Sequence, residues 1–215
     1  MKAPALKYAT RLAHWYLALA LPWFLAGCAN LPPPRTGGSA VVQPHTYSES
    51  VDISGRFSAQ FEHNGKPESW SGNFTWAQTP QNTTVALQSP LGQTLATIVT
   101  DTTSATLIQS GQAPRSAANV DALAEEALGW PLPISNLREW LQAYTIGADG
   151  KRVLATPASN ATIAAPDGWR INYLSWQDDN EVGMQNVPKR IDMERETDQA
   201  GRVAMRLVIT SWQAH

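Results

Sequence analysis

Val51-Asp52-Ile53-Ser54-Gly55-Arg56-Phe57-Ser58-Ala59-Gln60-Phe61 decides the fold class. Its odd positions carry Val, Ile, Gly, Phe, Ala and Phe, while its even positions carry Asp, Ser, Arg, Ser and Gln. Side chains alternate between faces along a strand, so a period of two marks a strand with one buried face. His63-Asn64-Gly65-Lys66 follows, and its Asn-Gly pair is the strongest short hairpin signal. In the next stretch Trp70, Gly72, Phe74 and Trp76 share one parity, against Ser69, Ser71, Asn73 and Thr75 on the other. The pattern predicts an antiparallel meander with an aromatic inner face.

Further strands are predicted at 84–88, 94–100 and 105–109, with no helix between them to make a parallel crossover. Helical spacing appears only mid-chain. Val120, Leu123, Ala124, Ala127 and Leu128 follow i, i+3, i+4, i+7, i+8, and Gly129 is placed to end that helix. After Trp130-Pro131-Leu132-Pro133-Ile134, Ser135 is expected to cap a second helix with Leu137, Trp140, Leu141 and Tyr144 on one stripe. Strands resume beyond Gly150: Trp169, Ile171 and Tyr173 alternate with polar neighbours, and a last hairpin joins 187–194 to 202–212. Strands, two helices, strands describe one α+β domain, a curved antiparallel sheet with a short-helix lid on its concave or open side.

Upstream, Lys2, Lys7 and Arg11 precede an apolar stretch from Leu12 to Leu25, the layout of a secretory signal peptide. That stretch is short and broken by Pro22, which disfavours a membrane-spanning helix. It ends in Leu25-Ala26-Gly27-Cys28, which looks like a bacterial lipobox, and Cys28 is the only cysteine in the chain. The expected segments are 1–27, a cleaved signal; 28–48, a lipidated N-terminus and Pro/Gly/Ser-rich tether; and 49–215, the folded domain. Cys28 is expected to carry S-diacylglycerol and an N-acyl chain, and no dissociable cofactor is expected. Several chains on one residue make a durable anchor, because each buried CH₂ contributes about 0.8 kcal/mol. In the sorting rule that the lipobox brings with it, Ala29 rather than Asp points to the outer membrane, periplasmic face.

The full chain has 16 Lys+Arg and 18 Asp+Glu, a net charge of -2, and 16% charged residues. Cleavage before Cys28 removes three basic residues and leaves 13 Lys+Arg against 18 Asp+Glu, a net of -5. No basic footprint for nucleic acid exists. The mature histidines, His45, His63 and His215, fall in the tether, in a turn and at the last position, with no HExxH motif. Nucleophile-elbow and phosphate-loop motifs are absent too, so no catalytic and no metal residues are expected. What stands out is apolar surplus in the mature domain: Trp70, Phe74, Trp76, Trp130, Trp140, Trp169, Trp176 and Trp212 are enough large rings for a core and an acyl-binding cavity. Exposed Trp on a polar groove would instead suit a non-enzymatic glycan- or peptidoglycan-binding lipoprotein, the competing expectation.

Ser89-Pro90-Leu91-Gly92 is an ordinary turn with one oddity, an apolar Leu91 at its apex. Lipobox, Gly55-Arg56-Phe57 in the opening strand, Ser-Pro-Leu-Gly, and Gly129-Trp130-Pro131-Leu132-Pro133-Ile134 with Leu137 and Trp140 occur in this order. Together they resemble the LolB family of outer-membrane lipoprotein receptors, from about Ser50 to Trp212 plus the lipobox. The system's periplasmic carrier, LolA, is similar in fold but lacks a lipobox. The resemblance implies an unclosed antiparallel β-barrel with a helical lid over a hydrophobic cavity, here monomeric. It implies partners as well: a LolA-like carrier, lipoprotein acyl chains and outer-membrane lipid. By position Leu91, with Pro90 and Gly92, matches the family's membrane-inserting loop. Candidate cavity residues are Phe57, Trp70, Phe74, Trp76, Leu132, Ile134, Leu137, Trp140 and Leu141. Trp130 is a departure, standing where the family often has a smaller apolar residue.

Overall fold

The computed structural model describes residues 45–159, 162–178 and 186–215. The chain divides into two units, Met1–Gly38 and Ser39–His215, and every described residue lies in the second. The signal segment, Cys28 and most of the tether therefore fall outside the described residues.

β1 (Val51–His63) and β2 (Lys66–Gln78) form the long hairpin that the alternation predicts. Asn64 and Gly65, at φ 53° and 69°, make its two-residue turn, and positive φ at both positions matches the right-handed twist of the strands. On β1 the odd residues Val51 to Phe61 are all buried. β3 (Thr83–Gln88), β4 (Thr94–Thr100), β5 (Ala105–Gln109) and a short β6 (Arg115–Ala117) extend the sheet on one side of β2. On the other side β1 pairs with β12 (Gly201–Ala214), then come β11 (Pro188–Thr197), β10 (Arg170–Trp176) and β9 (Ile163–Ala164). The order β6-β5-β4-β3-β2-β1-β12-β11-β10-β9 is linear and every pairing is antiparallel, so the sheet does not close on itself. Ten strands are about the most an open sheet carries without curling.

Two glycine–phenylalanine pairs mark the tightest part of the sheet. Gly55 lies opposite Phe74, and Phe57 opposite Gly72. A Cβ on Gly72 would stand 1.9 Å from the Gln88 carbonyl oxygen and 3.1 Å from the Phe57 ring. A Cβ on Gly55 would stand 2.2 Å from the Val208 carbonyl oxygen. Glycine there lets β3 and β12 lean over their neighbours, which curves the inner face. β12 also carries a bulge opposite Ser54 and Gly55, after which the buried parity switches from Ile209 to Trp212.

α1 (Val120–Leu128) is capped by the Asn119 side chain, which accepts from the Ala122 amide at 2.9 Å, and stops at Gly129 in the left-handed region at φ 79°. α2 (Ile134–Trp140) departs from the expectation, because Pro133 stands at its N-cap and Ser135 caps nothing. The Ser135 amide and hydroxyl instead donate to Asp121 of α1, so a carboxylate from the first helix serves the free end of the second. Tyr144 also leaves the predicted stripe. Left-handed Ala143, at φ 61°, ends the helical path, and Tyr144 starts β7 (Tyr144–Ile146), which pairs with β8 (Arg152–Leu154) as a separate ribbon. Leu123, Ala124 and Leu128 of α1, with Leu137 and Trp140 of α2, join the cluster built by the inner face of the sheet.

Packing reaches further upstream than the expected boundary at 48. His45 is buried, and its Nε2 faces the Gln142 carbonyl oxygen at 2.7 Å, so Nε2 carries the hydrogen and donates. The fully buried Gln142 amide holds Ser48 twice, accepting from its N–H at 2.9 Å and donating to its carbonyl at 3.0 Å. Gln78 donates to the Tyr47 hydroxyl at 3.1 Å and accepts from the Trp76 indole at 3.1 Å. Residues 45–48 are thus a strap across the end of α2, held by the paired amides of Gln142 and Gln78 and by His45 Nε2.

The His45 ring sits between Tyr144 and Trp212, and its Nδ1 has no partner. Burial, only partly opposed by the Gln142 bond, holds its pKa below the ordinary 6.5. An unfolded chain takes up the proton near that ordinary value, whereas the folded chain takes it up only at lower pH. Stability should therefore be undiminished by this group above 6.5, fall as pH drops through that value, and level off below the folded pKa. Urea unfolding at about pH 7.5 and about pH 5.5 should show the loss, and His45→Gln, which keeps a donor, should shrink it. An unchanged difference in that variant would assign the pH dependence elsewhere.

Candidate functional site

Between the inner face of the sheet and α2 lies a wholly apolar interior. Phe57 (β1), Phe74 and Trp76 (β2) face Leu132, Leu137 and Leu141, with Trp130 at one side. Alternation places the first three on one face. The two prolines flanking Leu132 hold the approach to α2 extended, and helical spacing turns Leu137 and Leu141 inward. Trp130 is buried and stacks on Phe61 at 5.7 Å and 25°. The free volume left among these side chains is about 20 Å³, room for one water-sized sphere. The interior is shut.

Six of the nine cavity candidates, Phe57, Phe74, Trp76, Leu132, Leu137 and Leu141, meet there. Three stand apart. Trp70 is half-buried towards the turn end of the β1–β2 hairpin, edge-on to Phe61 at 6.2 Å, away from the side chains that α2 covers. Ile134, at the first turn of α2, points towards the β2–β3 turn and Arg138. Trp140 sits on a different side of α2, against Trp169 at 6.4 Å, and lines a groove of about 820 Å³ with β7, β8 and β9. Phe74 and Trp76 are buried, so the exposed stacking platform that glycan binding would need is not built from them.

Polar contacts fasten α2 at its ends. Arg138 donates to the Thr79 carbonyl at 2.8 Å and to the Thr83 hydroxyl at 3.0 Å. The Tyr173 hydroxyl donates to the Trp140 carbonyl at 3.0 Å, and burial pushes its pKa up, keeping it a donor. Asn136 donates to Asp167 at 2.7 Å. Glu139 pairs with Arg152 at 3.5 Å; burial raises its pKa, opposed by that arginine. The latches are polar and few, while the interior contacts are dispersive. Sequence spacing could not show the latches, since Arg138, Asn136 and Tyr173 meet partners 30 or more residues away.

The second feature is the loop between β3 and β4. Gly92 N–H donates to the Ser89 carbonyl at 2.9 Å and Ser89 N–H to the Gln93 carbonyl at 2.8 Å, with Gly92 at φ 84°. Pro90 and the left-handed Gly92 close a three-residue turn, and Leu91 at its apex is 91% exposed. It does not fold back on a strand. Asn73 on β2 donates to the Ser89 carbonyl at 3.4 Å, steadying the base. Among the described residues, no group of three or more His, Cys, Asp or Glu is gathered as metal ligands.

A family model described as outer membrane lipoprotein LolB matches residues 49–212. The outer-membrane lipoprotein LolB of Cupriavidus metallidurans is 36% identical over 198 residues, covering 90% of this chain and 93% of its own. That of Cupriavidus pinatubonensis is 36% identical over 214 residues, covering 98% and 99%. A solved LolA superfamily protein from Nitrosomonas europaea is 9% identical with a TM-score of 0.41, covering 82% of this chain and 90% of its own. Overlap that low carries no weight for the fold, which stands on the strand pairing itself. With a match across the whole folded body and relatives aligned nearly end to end, the chain belongs to the LolB family of outer-membrane lipoproteins.

Proposed function

We propose that this protein, anchored in the outer membrane through Cys28, takes lipoproteins from a periplasmic carrier by their acyl chains and sets them into that membrane. The observation that carries it is the interior between sheet and lid, lined by apolar side chains alone. Such a lining favours alkyl chains at about 25 cal/mol per Å² removed from water. With about 20 Å³ free, α2 must swing off the sheet before a chain enters, and the polar latches at its ends set how readily it does.

No energy source is needed. Chains pass from carrier to receptor to bilayer if each host holds them better than the last, and every 1.4 kcal/mol shifts the balance about tenfold. Leu91 completes the sequence as the side chain that enters lipid first. The role is binding and release rather than catalysis, and the body works as a monomer.

Mixing the full protein with lipoprotein-loaded carrier tests this directly. The lipoprotein should change hands without nucleotide and then appear in added vesicles; retention on the carrier would overturn the proposal. The anchor has its own test. Cys28→Ala should give a protein that takes up no palmitate label and is released in the soluble periplasmic fraction, since a myristoyl-sized chain alone already holds only weakly. Label surviving that change would remove Cys28 from the role.

A further inference from the structure

From Ser69 to Pro114 the chain carries a single charged side chain, Asp101, in a protein where 16% of residues are charged. That stretch builds most of β2, all of β3, β4 and β5, and the Leu91 loop. Its outward residues form cross-strand rows, Ala86 beside Thr97 beside Ile108, and Thr84 beside Val99 beside Thr106. Leu95, Val99 and Ile108 are 39%, 36% and 44% exposed. Asp101 lies in the β4–β5 turn, at the opposite end of β4 from the Leu91 loop, and its carboxylate accepts from the amides of Thr103 and Ser104.

The other half of the same outer surface is built differently. On β10 to β12, Glu194 is held between Arg170 and Arg202, and Asp192 between Arg190 and Arg206. A water-facing sheet surface ordinarily carries interspersed charge. One half has it and the other lacks it, so solubility alone does not explain the bare half.

We infer that the uncharged outer face of β2–β5 rests on the lipid surface while Leu91 enters it. The charge-free strands β3 and β4 run straight into the Leu91 loop, so the face and the loop form one continuous surface. Thr, Ala and scattered Leu, Val and Ile tolerate the headgroup level, whereas a charge carried inward is strongly disfavoured. A polypeptide partner would more commonly meet a rim with charges for steering and register. The tether keeps the body within reach of the bilayer throughout. This orientation rests on the proposed insertion by Leu91 and adds a face to it.

The single cysteine makes the test clean, because lipidation consumes Cys28 and an introduced cysteine is then the only thiol. The full lipidated chain, carrying Leu91→Cys, Thr97→Cys, Ile108→Cys or Leu174→Cys, is labelled with an environment-sensitive fluorophore. It is then placed in phosphatidylethanolamine/phosphatidylglycerol vesicles containing brominated lipid. Labels at 91, 97 and 108 should brighten several-fold and be quenched by the bromines. A label at 174, exposed but on the charged half, should not. Response at 91 alone would overturn the resting face and leave the insertion loop standing. Response at none of the three would sink both. Labels at 97 and 108 that respond only when loaded carrier is added would overturn the lipid assignment in favour of a protein dock.

Discussion

Leu91→Glu is expected to leave folding and acyl-chain capture unchanged while slowing delivery into vesicles about a hundredfold. On insertion scales Leu is favourable by about 0.5 kcal/mol and a charged residue unfavourable by about 3, a swing worth two or more factors of ten. Folding is spared because the side chain is 91% exposed and touches no core. The turn itself is held by Pro90, Gly92 and backbone bonds to Ser89, none of which the change removes. Pre-loading the variant and timing the appearance of lipoprotein in vesicles reads out release alone. Delivery at the normal rate would exclude Leu91 from the mechanism.

Gly72→Ala should cost about 3 kcal/mol or more of folding stability, far beyond the roughly neutral effect of an ordinary strand substitution. The new methyl would need the space of the Gln88 carbonyl oxygen, 1.9 Å away, and of the Phe57 ring, 3.1 Å away. The first is backbone and cannot step aside without moving β3. Gly65→Ala provides the contrast: its added Cβ meets nothing within 4 Å, and only the positive φ of 69° is strained. That should cost about 1 kcal/mol. Urea unfolding of both variants separates collision from backbone strain, and equal losses would refute the steric account. Because Gln88 leads directly into the turn that carries Leu91, Gly72→Ala should also slow delivery even where the protein remains folded.

Most of the sheet was legible in the sequence because one-sided burial writes itself as a period of two. Val51 to Phe61, 94–100 and 105–109 lie where the alternation puts them. α1 was legible for the same kind of reason, down to Gly129 at its end. What failed were local signals that distant partners outbid. Ser135 looked like a cap, but Pro133 took the position and Asp121, 14 residues earlier, took the serine. Tyr144 fitted a helical stripe until Ala143 adopted a left-handed backbone, which nothing in an alanine announces.

Short strands such as β6, β7 and β9 are too brief to show any period. At the candidate site, parity and helical spacing alone placed five of the nine interior candidates, and the apolar linker before α2 supplied Leu132. Trp70, Ile134 and Trp140 show the limit: pattern tells which residues turn inward, but not which of several inner spaces each one fills. His45 shows the same limit in the other direction. It lay in a Pro-rich stretch read as spacer, yet Gln142 and Trp212, far along the chain, bury it.

The strap has a mechanical consequence. Tyr47 and Ser48 are fastened beside Gln78, at the end of the sheet where β3 begins, whereas β3 runs from there to Gln88, beside Asn73, and so aims Leu91 the other way. The chain therefore enters the body at the pole remote from the Leu91 tip that is proposed to enter lipid. A lipidated body hanging straight from its anchor would hold that tip away from the bilayer. On the proposed insertion by Leu91, delivery therefore requires the body to tip over. The leash allows it: residues 28–44, fully drawn out, span at most about 60 Å, against about 43 Å for β1 with its 13 residues. On that route, shortening residues 28–44 until they span less than the length of β1 should let capture continue while delivery fails.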